Sequence, residues 1–283
     1  MMEGKEEVAD YNNNFKTKGK GQGKNVCVTG ASGFLASWLV KRLLLSGYRV
    51  IGTVRDPGEE KKVGHLWKLE GAKERLKLVK ADLSEEGSFD DAINGCQGVF
   101  HTASPVLATP NLWYPLSKTM AERAASEFCK ENNIHLVTVL PTFIIGPSLP
   151  PQLCSTATDF LGLLKGETEK FQLHGRMGYV YIDDVAASHI LVYEHESAQG
   201  RYLCNSNVIE LPELASILST LYPTLPISKR FVKHNDRPYY ELDTSKLKSL
   251  GMKFKSVEET FDETVKSLIE QGHLSPQKLP SYT

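Results

Sequence analysis

The sequence predicts an α/β fold in which a Rossmann-type, doubly wound parallel sheet carries a smaller C-terminal lobe. The first observation is the alternation, from Asn25 onward, of short runs rich in β-branched residues with amphipathic helical stretches. This order of strand, helix and strand is typical of a parallel sheet with right-handed crossovers. The second is size: 283 residues, 41% of them hydrophobic, suffice for one large domain or two ordinary ones.

Composition and charge exclude several classes of protein. Lys and Arg number 33 against 34 Asp and Glu, which excludes a strongly basic nucleic-acid binder. No apolar run approaches the roughly 18 residues of a membrane-spanning helix, and residues 1–24 lack the apolar core of a secretory signal. We therefore expect a disordered tail over 1–24 and a cytoplasmic protein. The five cysteines form no C-x-x-C pair, so we expect reduced, mostly buried thiols and no metal site.

The elements of the first half follow in order. Asn25–Thr29 predicts a buried strand, and leucines at helical spacing predict a helix over Phe34–Leu45 that ends at Gly47. Arg49–Val54 predicts the next strand. By the same criteria, further strands are predicted over 76–79, 98–102 and 134–140, and further helices over 61–70, 89–94 and 121–130.

The second half begins at a proline-rich loop after Gly146, where the composition shifts. Helices are predicted over 158–165, 183–194, 211–221 and 256–271, and a strand over 201–204. Ser256 and Glu259 have the spacing of a capping box at the start of the last helix. We expect the first domain to cover 25–146, with 178–206 returning to it, and the second lobe to cover 147–177 and 207–283.

A glycine-containing turn, TGASGFLA (residues 29–36), joins the first strand to the first helix. Gly30 permits a tight turn, Gly33 lets the backbone approach a pyrophosphate, and the small Ala36 lets the helix pack closely on the strand. The phosphates would then meet the N–H groups and the positive end of that helix. Because a β-branched strand precedes the turn and a helix and a second strand follow it, we interpret it as a dinucleotide-binding site.

The second strand ends in VRDP (residues 54–57), where the choice between NAD and NADP is made in such folds. Arg55 lies about 20 residues after Gly33, at the expected spacing, and its planar guanidinium can bind the 2′-phosphate of NADP. Lys62 offers a second positive charge. Asp56 competes as a ribose ligand, but an Asp before Pro-Gly is more typical of a turn. The sequence favours NADP(H).

Tyr114 and Lys118 are the candidate chemical pair. Four residues apart on a helix, their side chains share one face, and an ammonium beside a phenol stabilises the phenolate. Such a tyrosine can supply a proton to a carbonyl that is being reduced by hydride, while the lysine also binds ribose hydroxyls. The alternative is a surface Tyr and Lys on an amphipathic helix. The position of the pair in the sequence favours the catalytic interpretation, because the pair follows the fourth strand of a nucleotide-binding sheet.

Three other polar sites have a functional and a structural interpretation. Asp82, before Leu83 and after the third strand, either flanks an adenine or caps a helix. His101 ends a strand, where a structural imidazole is favoured over a catalytic one. Asp183 and Asp184 open a helix, which favours N-capping over acid–base chemistry.

Several motifs together resemble a known family. TGASGFLAS, TVRDP, FHTASP, WYPLSKT, LPTFIIGP and YIDDVA resemble the extended short-chain dehydrogenase/reductases of plants, within them the cinnamoyl-CoA reductase and dihydroflavonol 4-reductase group. The stretch GPSLPPQLCSTATDFLGLLKGETEKFQLHG most resembles the tetraketide α-pyrone reductases of pollen-wall (sporopollenin) precursor synthesis. The resemblance covers residues 25 to about 274. It implies an NADPH-dependent oxidoreductase acting on ketones of small-molecule α-pyrones, with the C-terminal lobe binding the substrate; cinnamoyl-CoA or dihydroflavonol-like phenylpropanoids are the alternative substrates.

The resemblance also implies roles for individual residues. Tyr114 and Lys118 would be catalytic and would contact the cofactor. The pyrophosphate would be bound by Gly30, Ser32, Gly33, Phe34 and Leu35, the 2′-phosphate by Arg55 and Lys62, and the adenine by Asp82 and Leu83. The nicotinamide side would be lined by Thr102, Ala103, Ser104, Pro141, Thr142, Phe143 and Ile144, with Ser155 or Thr156 contacting the cofactor further on. His174, Met177 and Tyr181 either line the substrate pocket or pack in the core.

One segment of the family pattern is missing from this chain. The family carries a helix, a strand that ends in the catalytic serine and a long loop between FHTASP and the tyrosine, whereas here only residues 106–112 separate Pro105 from Trp113. That length suits one loop, so we expect the sheet to be one α–β unit short. Either the flanking strands stay unpaired or the later strand moves inward by one strand spacing, about 4.8 Å. We expect uncovered apolar surface, and either a weak reductase or a non-catalytic NADP(H)-binding form.

Overall fold

The structure is a computed structural model that describes residues 20–104, 113–228, 231 and 239–275, with the backbone alone for Trp113, Leu173 and His174. Most of the predicted N-terminal tail, and the short connection over 106–112, lie outside the described residues. The first four strands form one parallel sheet in the order β3-β2-β1-β4. These strands are β1 (Asn25–Thr29), β2 (Arg49–Val54), β3 (Leu76–Lys80) and β4 (Gly98–His101).

Helices join these strands as right-handed crossovers require. They are α1 (Phe34–Leu45), α2 (Glu60–Trp67), α3 (Ala72–Arg75) and α4 (Asp90–Ile93). α1 buries Leu39 and Leu43 completely, because apolar residues recur at helical spacing on the face turned toward the sheet. The predicted Rossmann-type order of strand and helix is confirmed for this half.

The remaining strands form two smaller sheets. β5 (Val137–Pro141) pairs in parallel with β8 (Gly200–Cys204), and β6 (Phe143–Ile145) pairs in parallel with β7 (Arg176–Tyr181), which also pairs antiparallel with β9 (Asn207–Glu210). The other helices are α5 (Trp113–Glu131), α6 (Ser155–Leu164), α7 (Glu169–His174), α8 (Ile182–Glu194), α9 (Leu211–Leu221), α10 (Ser245–Lys248) and α11 (Val257–Glu270). The division into two lobes at the predicted boundaries stays a prediction.

β4 and β5 each have one unpaired edge. Among the described residues, β4 pairs only with β1, and β5 pairs only with β8. Of the two arrangements expected for a sheet one unit short, the structure therefore has the one in which the flanking strands stay unpaired. α8 connects the two sheets instead: Ile182, Ala186 and Ile190 pack in the core of the first sheet, while Val185 and Val192 pack beside β8.

The long helix α5 lies almost entirely in solvent. Of its described side chains only Glu122 and Cys129 are even half-buried. Leu116, Met120 and Phe128 are 49%, 60% and 59% exposed, at the spacing of one helix face. The expected exposure of apolar surface is confirmed. The apolar side chains of α5 have no described element packed over them.

Some predicted boundaries and one predicted role were wrong. α5 begins at Trp113 rather than near residue 121, and β5 begins at Val137 rather than at 134. Asp183 and Asp184 do not cap α8, whose start has no side-chain cap. Asp183 instead accepts two hydrogen bonds from the Arg42 guanidinium, and Asp184 accepts one from the backbone N–H of Lys255 at 2.8 Å.

Other predictions are confirmed, and some elements were not predicted. The capping box at Ser256 and Glu259 is present, with both of its hydrogen bonds. All five cysteines are free, although only Cys27 and Cys204 are fully buried. The short strands β6, β7 and β9 were missed, because three to six residues bounded by loops give too little periodicity.

Over the described residues, no helix is long and apolar enough to cross a membrane, and no side-chain cluster could hold a metal ion.

Candidate active site

The turn between β1 and α1 has the geometry of a phosphate cradle. Gly30 is in the left-handed region at φ +68°, and a Cβ there would lie 3.1 Å from the Ala103 Cα. The Gly33 N–H donates to the Gly30 carbonyl at 2.9 Å. α1 then begins with no side-chain cap and no acidic residue in its first turn, so its first N–H groups are left for a ligand. These features fit the pyrophosphate of a dinucleotide.

The second strand holds this turn in place. Thr53 of β2 accepts two hydrogen bonds, at its hydroxyl from the Gly30 N–H (3.1 Å) and at its carbonyl from the Ala31 N–H (2.8 Å). Ser32, Phe34 and Leu35, which the family resemblance assigns to the pyrophosphate, lie on the turn and the first helical turn that these bonds fix. The role of Thr53 was not predicted, because in the sequence it has only the features of a β-branched strand residue.

Arg55, predicted to bind the 2′-phosphate, lies close to Asp82, predicted to flank the adenine. Arg55 is exposed and near enough to Asp82 to lower the pKa of that carboxyl, although the larger causes are hydrogen bonds from Ser84. The Ser84 N–H and hydroxyl donate to Asp82 Oδ1 at 2.9 and 2.6 Å, so Asp82 caps a turn rather than a helix. Leu83 is 48% exposed beside it. Beyond β2 and β3, the structure thus places the exposed Arg55 near the Asp82 carboxylate and the exposed Leu83 side chain.

Asp56 and Lys62, the other two charged residues considered at this site, differ in their contacts. Asp56 accepts a hydrogen bond from the Gly58 N–H at 2.8 Å, which confirms the turn interpretation. Lys62 forms an exposed ion pair with Glu59 at 2.7 Å, so its charge is shared. Arg55, in contrast to Lys62, makes no ion pair within the described part of the chain.

The residues predicted along the nicotinamide side come from three segments. Thr102, Ala103 and Ser104 follow β4 and are half-buried. Further along lie Pro141 at the end of β5, Thr142 between β5 and β6, and Phe143 and Ile144 in β6. The Thr142 hydroxyl donates to Asn205 at 3.0 Å, a partner that the sequence did not single out.

Other predicted residues have contacts within the chain. The rings of Phe143 and Tyr179 meet edge to face at 5.6 Å. Ser155 opens α6, and the Thr156 hydroxyl lies 3.3 Å from the Cys154 sulfur. Tyr181 is buried and donates its hydroxyl hydrogen to Glu263, so its role is core packing. Met177 is partly buried in the C-terminal core, and the His174 side chain lies outside the described residues.

Tyr114 and Lys118 lie on the first turns of α5, on one face as predicted. Tyr114 is 45% exposed, and neither side chain makes a hydrogen bond to the described residues. The pKa of His101, at the carboxyl end of β4, is lowered by partial burial of the ring and further by the Lys118 ammonium. The start of α5 is therefore near the end of β4 where the glycine turn also lies.

Comparison with known proteins identifies relatives that match most of the chain. The model of the NAD dependent epimerase/dehydratase family matches residues 26–111 and 104–204. Tetraketide alpha-pyrone reductase 1 of Arabidopsis thaliana is 59% identical over 88% of this chain and 97% of its own. Cinnamoyl-CoA reductase CAD2 of Medicago truncatula is 40% identical over 88% and 97%. The crystal structure of alfalfa vestitone reductase superposes with a TM-score of 0.77 at 32% identity, covering 88% of this chain and 99% of that one.

The same comparisons locate an interruption. The alignment with the Arabidopsis reductase has 316 positions but includes only 88% of the 283 residues here, about 249, so about 67 positions have no counterpart in this chain. The family model matches in two stretches that overlap at 104–111. The break therefore lies between β4 and α5, where the sequence predicts that one α–β unit is missing.

The sheet of β1 to β4, the uncapped glycine turn and the match of the family model over more than half of the chain agree with one another. Two reductases at 40% identity or more extend that agreement beyond the nucleotide half. The chain belongs to the NAD dependent epimerase/dehydratase family, as an NAD(P)-dependent oxidoreductase of the short-chain dehydrogenase/reductase type.

Proposed function

We propose that this chain binds NADPH and reduces ketones on polyketide (tetraketide) α-pyrones, precursors of sporopollenin, in the cytoplasm, and that its present form turns over slowly. The substrate class comes from the Arabidopsis reductase at 59% identity. The observation that carries the chemistry is the position of Tyr114 and Lys118 on the first turns of α5, the helix that follows β4, because the backbone just after β4 lies against the glycine turn.

In this proposal each site residue has a separate role. NADPH would supply the hydride when bound in the glycine turn. Tyr114 would donate its phenolic proton to the carbonyl oxygen, and Lys118 would stabilise the phenolate left behind and bind the ribose. Arg55, exposed and without an ion pair among the described residues, would bind the 2′-phosphate, with Lys62 as a weaker second ligand because Glu59 shares its charge.

Two features support slow turnover. The strand that carries the catalytic serine of the family has no counterpart in the sequence, and loss of one preorganised donor at a developing oxyanion costs about 10²–10³ in rate. Tyr114 is 45% exposed, on a helix whose described side chains are mostly exposed, and no described residue outside α5 hydrogen-bonds its hydroxyl. A displacement of about 1 Å already costs about a hundredfold. Ser104, three residues after β4, is the hydroxyl that we expect to substitute if any does.

The test compares this chain with a version in which the missing segment is restored from a full-length relative. Both proteins are assayed with saturating NADPH and a tetraketide α-pyrone, with cinnamoyl-CoA and a dihydroflavonol as parallel substrates. We expect the restored protein to be at least about a hundredfold faster on the α-pyrone. Tyr114→Phe should abolish turnover in the restored protein. Equal rates in the two proteins would overturn the slow form, and preference for cinnamoyl-CoA would overturn the substrate class.

A second candidate function is a non-catalytic NADP(H)-binding form. The lack of any side-chain hydrogen bond at Tyr114 to the described residues favours it. It predicts tight NADPH binding with no turnover of any of the three substrates, even at high enzyme concentration and long reaction times.

A further inference from the structure

Thr29, the last residue of β1, is the centre of a small hydrogen-bond network beside the glycine turn. Its hydroxyl oxygen accepts from the backbone N–H groups of Thr102 and Ala103, each at 3.0 Å. The same oxygen lies 3.0 Å from Nδ1 of His101. Thr29 is 2% exposed, so solvent does not compete for these contacts.

The count of donors fixes the protonation of His101. A hydroxyl oxygen has two lone pairs and one hydrogen, and the two backbone N–H groups can only donate. Both lone pairs of the Thr29 oxygen are therefore used, and its hydrogen is donated to His101. Nδ1 of His101 must then be an acceptor, so the neutral ring carries its hydrogen on Nε2.

Protonation of His101 would break this network. A protonated Nδ1 becomes a third donor toward the Thr29 oxygen, which can accept only two. One backbone N–H, of Thr102 or Ala103, would lose its partner. The pKa of His101 is lowered by partial burial and by Lys118 of α5, the charged group that acts on it from the neighbouring elements, and β1 presents the uncharged Thr29. The neutral ring is therefore the form expected near pH 7.

The segment held by this network forms one wall of the cofactor cradle. A Cβ on Gly30 would lie only 3.1 Å from the Ala103 Cα, so the backbone after β4 touches the glycine turn. We propose that His101 is a positioning residue for the cofactor: by accepting the Thr29 hydroxyl hydrogen, it holds the Thr102–Ala103 backbone against the turn that binds the dinucleotide. This inference rests on the cofactor-binding part of the proposed function.

The experiment titrates the protein with NADPH in the absence of any substrate, so its outcome does not depend on turnover. At pH 8, His101→Leu, which cannot accept a hydrogen bond, should raise the Kd about five- to tenfold, the effect of one lost bond. His101→Gln, whose amide oxygen can accept, should stay within about twofold of the wild type. His195→Leu is the matched control, because the His195 ring also lies within hydrogen-bond distance of a hydroxyl, that of Ser197 at 3.1 Å, but follows α8 instead of β4.

The pH profile separates positioning from simple packing. The Kd is measured from pH 8 downward: as the pH falls through the pKa of His101, the ring becomes protonated and the wild type should lose NADPH affinity relative to His101→Gln, which does not titrate. The 2′-phosphate of NADPH also titrates, with a pKa of about 6. It does so equally for both proteins, so the ratio of their Kd values isolates His101.

A double-mutant cycle tests whether the effect passes through Thr29. In a Thr29→Val background, His101→Leu should change the Kd no further. Equal losses in His101→Leu and His101→Gln, identical pH profiles for wild type and His101→Gln, or an NMR spectrum with the hydrogen on Nδ1 would each overturn the proposal. If His101→Leu does not fold, the profile of His101→Gln and the tautomer still decide it. Equal affinity for NADH and NADPH would contradict the proposed cofactor preference while leaving the comparison of variants valid.

Discussion

Two amphipathic helices, α1 and α5, follow strands of the same sheet and have opposite environments. α1 buries seven of its twelve residues between the first sheet and α8. α5 has nineteen residues and buries none of its described side chains fully. Both sequences have apolar residues at helical spacing, so the pattern predicts a helix in each case but does not predict burial. Burial depends on whether the opposing surface is in the chain.

The first prediction measures this contrast directly. Leu39→Ala in α1 removes a completely buried side chain and should lower the free energy of unfolding by about 2–5 kcal/mol. Leu116→Ala in α5, at 49% exposure, should change it by less than about 0.5 kcal/mol. Urea unfolding followed by circular dichroism gives both values. A cost above about 2 kcal/mol for Leu116→Ala would show that α5 is covered in solution.

The ion pairs of the two helices should differ in the same way. Asp183 and Arg42 join α8 to α1 with side chains only 10% and 13% exposed, and Asp183→Ala should cost about 3 kcal/mol because it removes a carboxylate that accepts two hydrogen bonds from the mostly buried guanidinium. Glu122 of α5 pairs with Arg201, which is 65% exposed, and Glu122→Ala should cost less than about 1 kcal/mol. The same unfolding titration measures both, and similar costs for the two variants would contradict the contrast.

A third prediction concerns the nucleotide half, whose residues precede the interruption. Arg55→Ala should weaken NADPH binding by at least about tenfold, since hydrogen bonds to charged groups contribute about 1.5–3 kcal/mol. NADH, which lacks the 2′-phosphate, should bind with nearly unchanged affinity. Fluorescence titration with each cofactor measures the ratio, and Lys62→Ala serves as the paired variant with a smaller expected effect. Equal losses for the two cofactors would argue against a phosphate role for Arg55.

The smallest effect on stability is expected on the outer surface of α5. Met120→Ser with Phe128→Ser should leave the free energy of unfolding within about 0.5 kcal/mol, because both side chains are already about 60% exposed. The double variant should instead reduce self-association, since contiguous exposed apolar surface promotes it. Sedimentation velocity over a range of concentrations detects the change. Unchanged association together with lost stability would place α5 in the core.

The sequence predicted most of the nucleotide half because its signals are local. The β-branched run of Asn25–Thr29, the glycine turn and the helix over Phe34–Leu45 each have their own pattern, and the structure has all three. The role of Asp56 in a turn was predicted for the same reason, because an Asp before Pro-Gly accepts a hydrogen bond from the backbone N–H two residues later.

Interactions between distant residues could not be predicted in this way. Asp183 opens a helix, and the local pattern favoured a cap, but Arg42 lies far away in sequence and pairs with it instead. The Thr29 network is of the same kind, because it joins the end of β1 to residues after β4. The strands β6, β7 and β9 exist through pairing with one another, which short windows of sequence do not record.

α8 has a consequence for the order in which the protein assembles during synthesis. The core of the first sheet, although its strands are complete at His101, also contains Ile182, Ala186 and Ile190. During translation, β1 to β4 therefore leave the ribosome well before α8, whose residues cover the sheet. The sheet stays partly uncovered until α8 emerges. Contacts between such distant segments slow folding and lengthen exposure to aggregation. Chaperone demand during translation should accordingly be greatest before Glu194 leaves the exit tunnel.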